Sequence, residues 1–138
     1  MVISKKMKEI IVNDVKYALK KMEESPSIEE KLYYFSAVHT VYNRVFNIEF
    51  SEDLLFAYFI LNQTYQAFQQ KLATMKASDV VFVIDDSQMQ ILTKLTKEYL
   101  AQFEAGNSTD DVLKRMVVVL YSVTGNGNYL MGKGFLKI

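Results

Sequence analysis

Hydrophobic side chains recur at helical spacing over residues 51–76, which is the longest regular pattern in the chain. Members of one series follow each other at steps of three or four residues, so they share a single stripe of a helix. The series consists of Leu54, Tyr58, Leu61, Tyr65, Phe68, Leu72 and Met75. Further apolar residues in the first half are Leu55, Phe56, Phe59 and Ile60. Because no charged residue occurs from Leu54 to Gln70, the pattern predicts a central helix whose first half is buried.

Two helices are predicted before the central one and two after it. Pro26 ends the first helix, and Ser27 with Glu30 forms a capping box for a second helix over residues 28–46. Ser51 is a good N-cap for the central helix, and Gly106 ends the fourth. Apolar positions expected to face the core of the fifth helix are Val112, Leu113, Met116, Val117, Leu120 and Val123. The five segments predict an all-α chain that folds as an antiparallel bundle.

Two short apolar segments depart from the helical period. Residues 80–84 form a mostly β-branched run, which suits a short strand, although a helical turn is an alternative for so short a segment. Residues 125–138 form a glycine-punctuated tail that ends in Phe135-Leu136-Lys137-Ile138. We expect residues 135–138 to pair with residues 80–84 as a minor two-stranded element. The 138 residues otherwise predict a single domain, with the tail packed on it.

Charge and composition narrow the classes of partner. Lys plus Arg and Asp plus Glu both number 16, and only two cations are arginines, so we expect no nucleic-acid partner. The longest apolar run, residues 54–61, is too short to cross a bilayer, and we expect no membrane partner. The chain has no cysteine, which excludes disulfides and thiolate metal sites. These features are compatible with a cytoplasmic protein.

Candidate chemistry is sparse. His39 is the only histidine, so a site with two imidazoles is excluded within one chain. Asp85-Asp86 could hold a metal, but adjacent acidic residues at a helix start are more often caps. Residues 127–134 match the spacing of a phosphate-binding loop, yet Gly134 stands where a Ser or Thr should bind magnesium. We therefore expect neither a metal nor a cofactor.

The predicted second helix carries the best candidates for ligand contacts. His39 shares a stripe with Phe35, Tyr42 and Phe46, at the border of the apolar face. Arg44 lies five residues after His39, about 500° around the helix, so the two side chains do not stack. His39, Tyr42 and Arg44 are the candidate ligand-binding residues, and no catalytic residue is assigned.

Three functions remain open on this sequence. The first is a non-catalytic regulatory or scaffolding protein that acts through protein–protein interaction and forms a dimer through the uncharged half of the central helix. The second is a small-molecule sensor with an aromatic-lined pocket between helices two and three. The third is an enzyme, for which His39, Arg44, Asp85 and Asp86 are the candidates.

Overall fold

The computed structural model describes residues 3–77 and 86–123, with side chains described within 3–73 and 87–123. It contains five α-helices and no strand in these residues. The helices are α1 (Lys5–Glu24), α2 (Ile28–Phe46), α3 (Glu52–Ala77), α4 (Asp86–Ala105) and α5 (Asp110–Tyr121). The all-α prediction with five helices is confirmed for this part of the chain. The predicted pairing of residues 80–84 with 135–138 and the tail over 125–138 lie outside the described residues.

Local capping explains several helix ends. The Ser27 hydroxyl accepts a hydrogen bond from the Glu30 backbone N–H at 3.1 Å, and the Ser51 hydroxyl accepts one from the Leu54 N–H at 3.3 Å. Each bond satisfies a backbone donor that the first turn of a helix leaves unpaired. Gly106 follows α4 with φ of 76°, a left-handed conformation that glycine adopts without steric cost.

The five helices form a closed ring in the order α1, α2, α3, α5, α4, and back to α1. Contacts along the ring show that α2 runs antiparallel to both α1 and α3, and that α4 runs antiparallel to both α1 and α5. In a ring with an odd number of helices, one neighbouring pair must therefore run in the same direction. That pair is α3 and α5, whose N-terminal residues Asp53 and Asp110 line the same cleft.

The predicted stripes form most of the core. Leu54, Leu61 and Phe68 of α3 are fully buried, and Tyr58 and Tyr65 are half-buried against α2. The apolar residues that recur at helical spacing along α4 are also buried, namely Met89, Leu92, Leu95, Tyr99 and Phe103. These positions confirm the orientation inferred from the helical period.

Two predictions about burial were wrong. Leu55, Phe56 and Phe59 are exposed, because among the described helices α3 packs chiefly against α2 and α5, which leave this side of it uncovered. Only Ile60, among the extra apolar residues of this segment, is buried. Val117 of α5 is also exposed, although it was expected to face the core.

Candidate functional site

His39 lies between α2 and α3, enclosed by aromatic rings. The centre of its ring is 4.9 Å from that of Tyr65 and 6.2 Å from that of Tyr58. Its side chain is buried, and neither ring nitrogen has a hydrogen-bond partner in the part of the chain that the structure describes. Burial lowers the pKa of the imidazole, because the charged form would lose its hydration. His39 is therefore held in its neutral form near pH 7.

Tyr42 is fully buried and its hydroxyl is hydrogen-bonded to the hydroxyl of Tyr99 on α4. Burial is the main reason that the pKa of Tyr42 lies well above its usual value. Burial also raises the pKa of Tyr99 to about 12. Both phenols are thus neutral over the whole physiological range. Their bond links two helices across the bundle, which is a structural role.

Arg44 lies on the side of α2 that faces α1. Its guanidinium donates a hydrogen bond to the Asp14 carboxylate of α1 at 3.0 Å, and its side chain is more than half exposed. The rings of His39 and Tyr42 both lie near Tyr58 of α3, and the Tyr42 hydroxyl also reaches α4. Arg44 contacts α1 instead. The structure therefore does not bring the three predicted ligand-binding residues together at one site.

Aromatic side chains pack against one another between α2 and α3. Tyr58 of α3 lies with its ring centre 6.3 Å from both Tyr42 and Phe46, and Tyr65 covers His39. The two clefts recorded in the described part of the chain lie elsewhere. One, of about 470 Å³, is formed at the N-terminal ends of α3 and α5, and the other lies beside the turn between α1 and α2.

The most unusual surface is an exposed side of α3. Leu55, Phe56 and Phe59 are 42%, 54% and 57% exposed, and Gln63 and Gln66 continue the same side toward the C-terminus of the helix. The steps between these residues are one, three, four and three, which keep them on one side of the helix. We call these five residues the uncharged face.

Exposed apolar side chains also lie beside the uncharged face. Phe50, just before α3, is 60% exposed and packs with its ring centre 5.6 Å from Phe46. On the other side, α5 exposes Val117 and Tyr121. Single exposed apolar residues are normal, whereas several large ones on adjacent elements are less common on the surface of a monomer.

Metal-binding side chains are not clustered in the described residues. No group of three His, Cys, Asp or Glu side chains there could hold a metal ion. The carboxylate pair Asp85-Asp86 is outside the described side chains, and residues 127–134 lie outside the described chain.

The sequence shows the uncharged face as a row without charge but does not show that it is exposed. Both sides of α3 near its start are apolar, so hydrophobicity alone could not show which side is covered. The available signal was the run of amides at Gln63, Gln66 and Gln70, which extends the exposed side and is absent from the buried one.

Comparisons with protein-family models, with curated proteins and with solved structures found no match to this chain.

Proposed function

We propose that this is a non-catalytic regulatory or scaffolding protein that acts through protein–protein interaction, and that it forms a two-fold dimer through the uncharged face of α3. One observation carries the proposal: Leu55, Phe56 and Phe59 are all exposed within five residues of a helix that has no charge over residues 54–70. Charged residues are depleted at the centres of protein interfaces, and aromatic residues are enriched there.

The size of the apolar surface supports an interface. With about 200 Å² for each large side chain, the exposed parts of Leu55, Phe56 and Phe59 amount to about 300 Å². On a monomer, an exposed apolar patch of this size is often functional. A standard interface needs about 800 Å² per partner, so Phe50 and Val117 beside the face would also be covered.

A second copy of the chain is the partner that fits this face best. A two-fold interface brings the same surface together from both subunits, so a useful surface must complement itself. An apolar centre can pack against a second copy of itself. The neighbouring Gln63 and Gln66 can also bind their own copies, because an amide both donates and accepts hydrogen bonds. A like-charged face would repel its own copy, and this face carries no charge.

Single-cysteine variants test the geometry, since the chain has no cysteine of its own. Gln63→Cys lies on the uncharged face, and Thr40→Cys is an exposed control on α2. On mild oxidation at micromolar concentration, we expect a disulfide-linked dimer from Gln63→Cys within minutes, and far less from Thr40→Cys. Equal cross-linking of the two variants, or none from either, would contradict a dimer through this face.

A small-molecule sensor is the second candidate, and the environment of His39 favours it. Its two buried nitrogens have no hydrogen-bond partner among the described residues, so a ligand with one polar group could bind to them. The test uses phenol at millimolar concentration. A rise in melting temperature of the parent protein that is absent in His39→Phe would support the sensor, and equal shifts in both would count against it.

A further inference from the structure

A cleft of about 620 Å³ lies between the α1–α2 turn and the N-terminal half of α4. One wall consists of Glu23, Ser25, Pro26 and Lys31. The other wall is one side of α4, formed by Met89, Gln90, Thr93, Lys94 and Lys97. The steps between the last four residues are three, one and three, so they share a helical stripe. A volume of this size is within the range of small-molecule sites.

Positive charge lies on both walls of this cleft. Lys31 stands on one side, and Lys94 and Lys97 stand on the other, while Glu23 is the one carboxylate among the described lining residues. Neither Lys94 nor Lys97 takes part in an ion pair within the part of the chain that the structure describes. Three ammonium groups around one cleft repel each other, and an anion bound among them would remove that repulsion.

Lys31 is fixed in place. Its ammonium group donates a hydrogen bond to the carbonyl of Met22 at 2.6 Å, near the C-terminal end of α1. An ammonium group has three donors, so two remain for a ligand. Because this side chain is half-buried and already held, it loses less conformational freedom on binding than a free surface lysine.

The hydroxyl and amide groups in the cleft limit which donors are available to a ligand. The hydroxyl of Ser25 donates to the Lys21 carbonyl at 2.6 Å, and that of Thr93 donates to the Met89 carbonyl at 2.8 Å. Their protons are therefore engaged, and donors to an anion must come from the lysines and the Gln90 amide.

We propose that this cleft binds a small polyanion with at least two negative charges, held by Lys31, Lys94 and Lys97. Phosphate and carboxylate groups share the required chemistry, and lysine binds either as a point charge. The site is separate from the uncharged face of α3.

The proposal is tested on isotope-labelled full-length protein by NMR titration with pyrophosphate and, separately, with citrate, at constant ionic strength adjusted with NaCl. We expect saturable amide shifts at Gln90, Thr93 and Lys94. Binding of pyrophosphate alone would identify phosphate as the ligand group, and binding of both would identify charge as the determinant. Shifts that do not saturate with either probe, or that lie outside this cleft, would overturn the proposal.

Matched variants distinguish binding at the cleft from a general effect of the protein's positive charges. Lys94→Gln/Lys97→Gln should weaken binding about tenfold, since it removes two of the three positive charges around the anion and exposed ion pairs are individually weak. Lys6→Gln/Lys114→Gln removes the same charge from exposed positions on α1 and α5 and should leave binding unchanged. Gln90→Glu keeps all lysines and adds a carboxylate at the cleft, so it should also weaken binding. Equal affinity in all three variants would show that the cleft is not the site.

Discussion

The hydroxyl groups of Tyr42 and Tyr99 form a fully buried hydrogen bond between α2 and α4. These two helices are not neighbours in the ring, so the bond spans the interior of the bundle. Each hydroxyl is the hydrogen-bond partner of the other. Burying either hydroxyl without a partner would be costly. The pair fixes the position of α4 against the α1–α2 hairpin.

Removing one hydroxyl of this pair should therefore destabilise the fold more than removing both. Tyr42→Phe leaves the Tyr99 hydroxyl buried without its partner, at an expected cost of about 1–3 kcal/mol in the free energy of unfolding. The double variant Tyr42→Phe/Tyr99→Phe should cost less than the sum of the single variants. Urea denaturation of the three variants measures this coupling, with the exposed Tyr33→Phe as control. Additive effects would show that the bond contributes nothing.

Because His39 is buried, the folded protein should lose stability in weak acid. Its pKa in the folded state is below the usual 6.5, so the unfolded chain binds the proton more readily. The contribution of the neutral imidazole is complete above pH 6.5 and falls as the pH drops below that value. Thermal unfolding between pH 7.5 and 5.5 should show a decreasing melting temperature.

The variant His39→Phe provides the control for this titration. Phenylalanine fits the ring environment of Tyr58 and Tyr65 and leaves no unpaired nitrogen, so the variant should be more stable by about 1–2 kcal/mol. It should also lose a smaller part of its stability between pH 7.5 and 5.5. An identical pH dependence in both proteins would mean that His39 does not titrate in this range.

The two sides of α3 should respond differently to truncation. Leu61 is fully buried, so Leu61→Ala should lower the free energy of unfolding by about 2–5 kcal/mol. Phe59, two positions away, is 57% exposed, and Phe59→Ala should change the stability of the monomer by about 0.5 kcal/mol or less. Denaturation at low protein concentration measures both. Similar losses in the two variants would place both residues in the core.

The helices could be predicted from sequence because each has one clear stripe and recognisable ends. Met89, Leu92, Leu95 and Tyr99 follow a single period, and Ser27, Ser51 and Gly106 mark boundaries that the structure confirms. Such signals are local, since caps and periodicity depend on residues within one or two turns.

The arrangement of surfaces could not be predicted in the same way. Leu54 and Leu55 are adjacent and equally apolar, yet one is fully buried and the other is 42% exposed. The difference depends on which helices flank α3, and that is a tertiary property. The same holds for the predicted site residues of α2, since His39 and Tyr42 lie against α3 whereas Arg44 contacts α1.

The mass of the protein in solution tests the central claim most directly. In sedimentation equilibrium at micromolar concentration, the parent should have twice the 16.0 kDa mass of the chain. Phe59→Glu places a charge on the uncharged face and should return the mass of one chain, whereas Tyr33→Glu, at an equally exposed aromatic residue of α2, should remain a dimer. A parent protein that sediments as a single chain, or a Phe59→Glu variant that remains dimeric, would contradict self-association through α3.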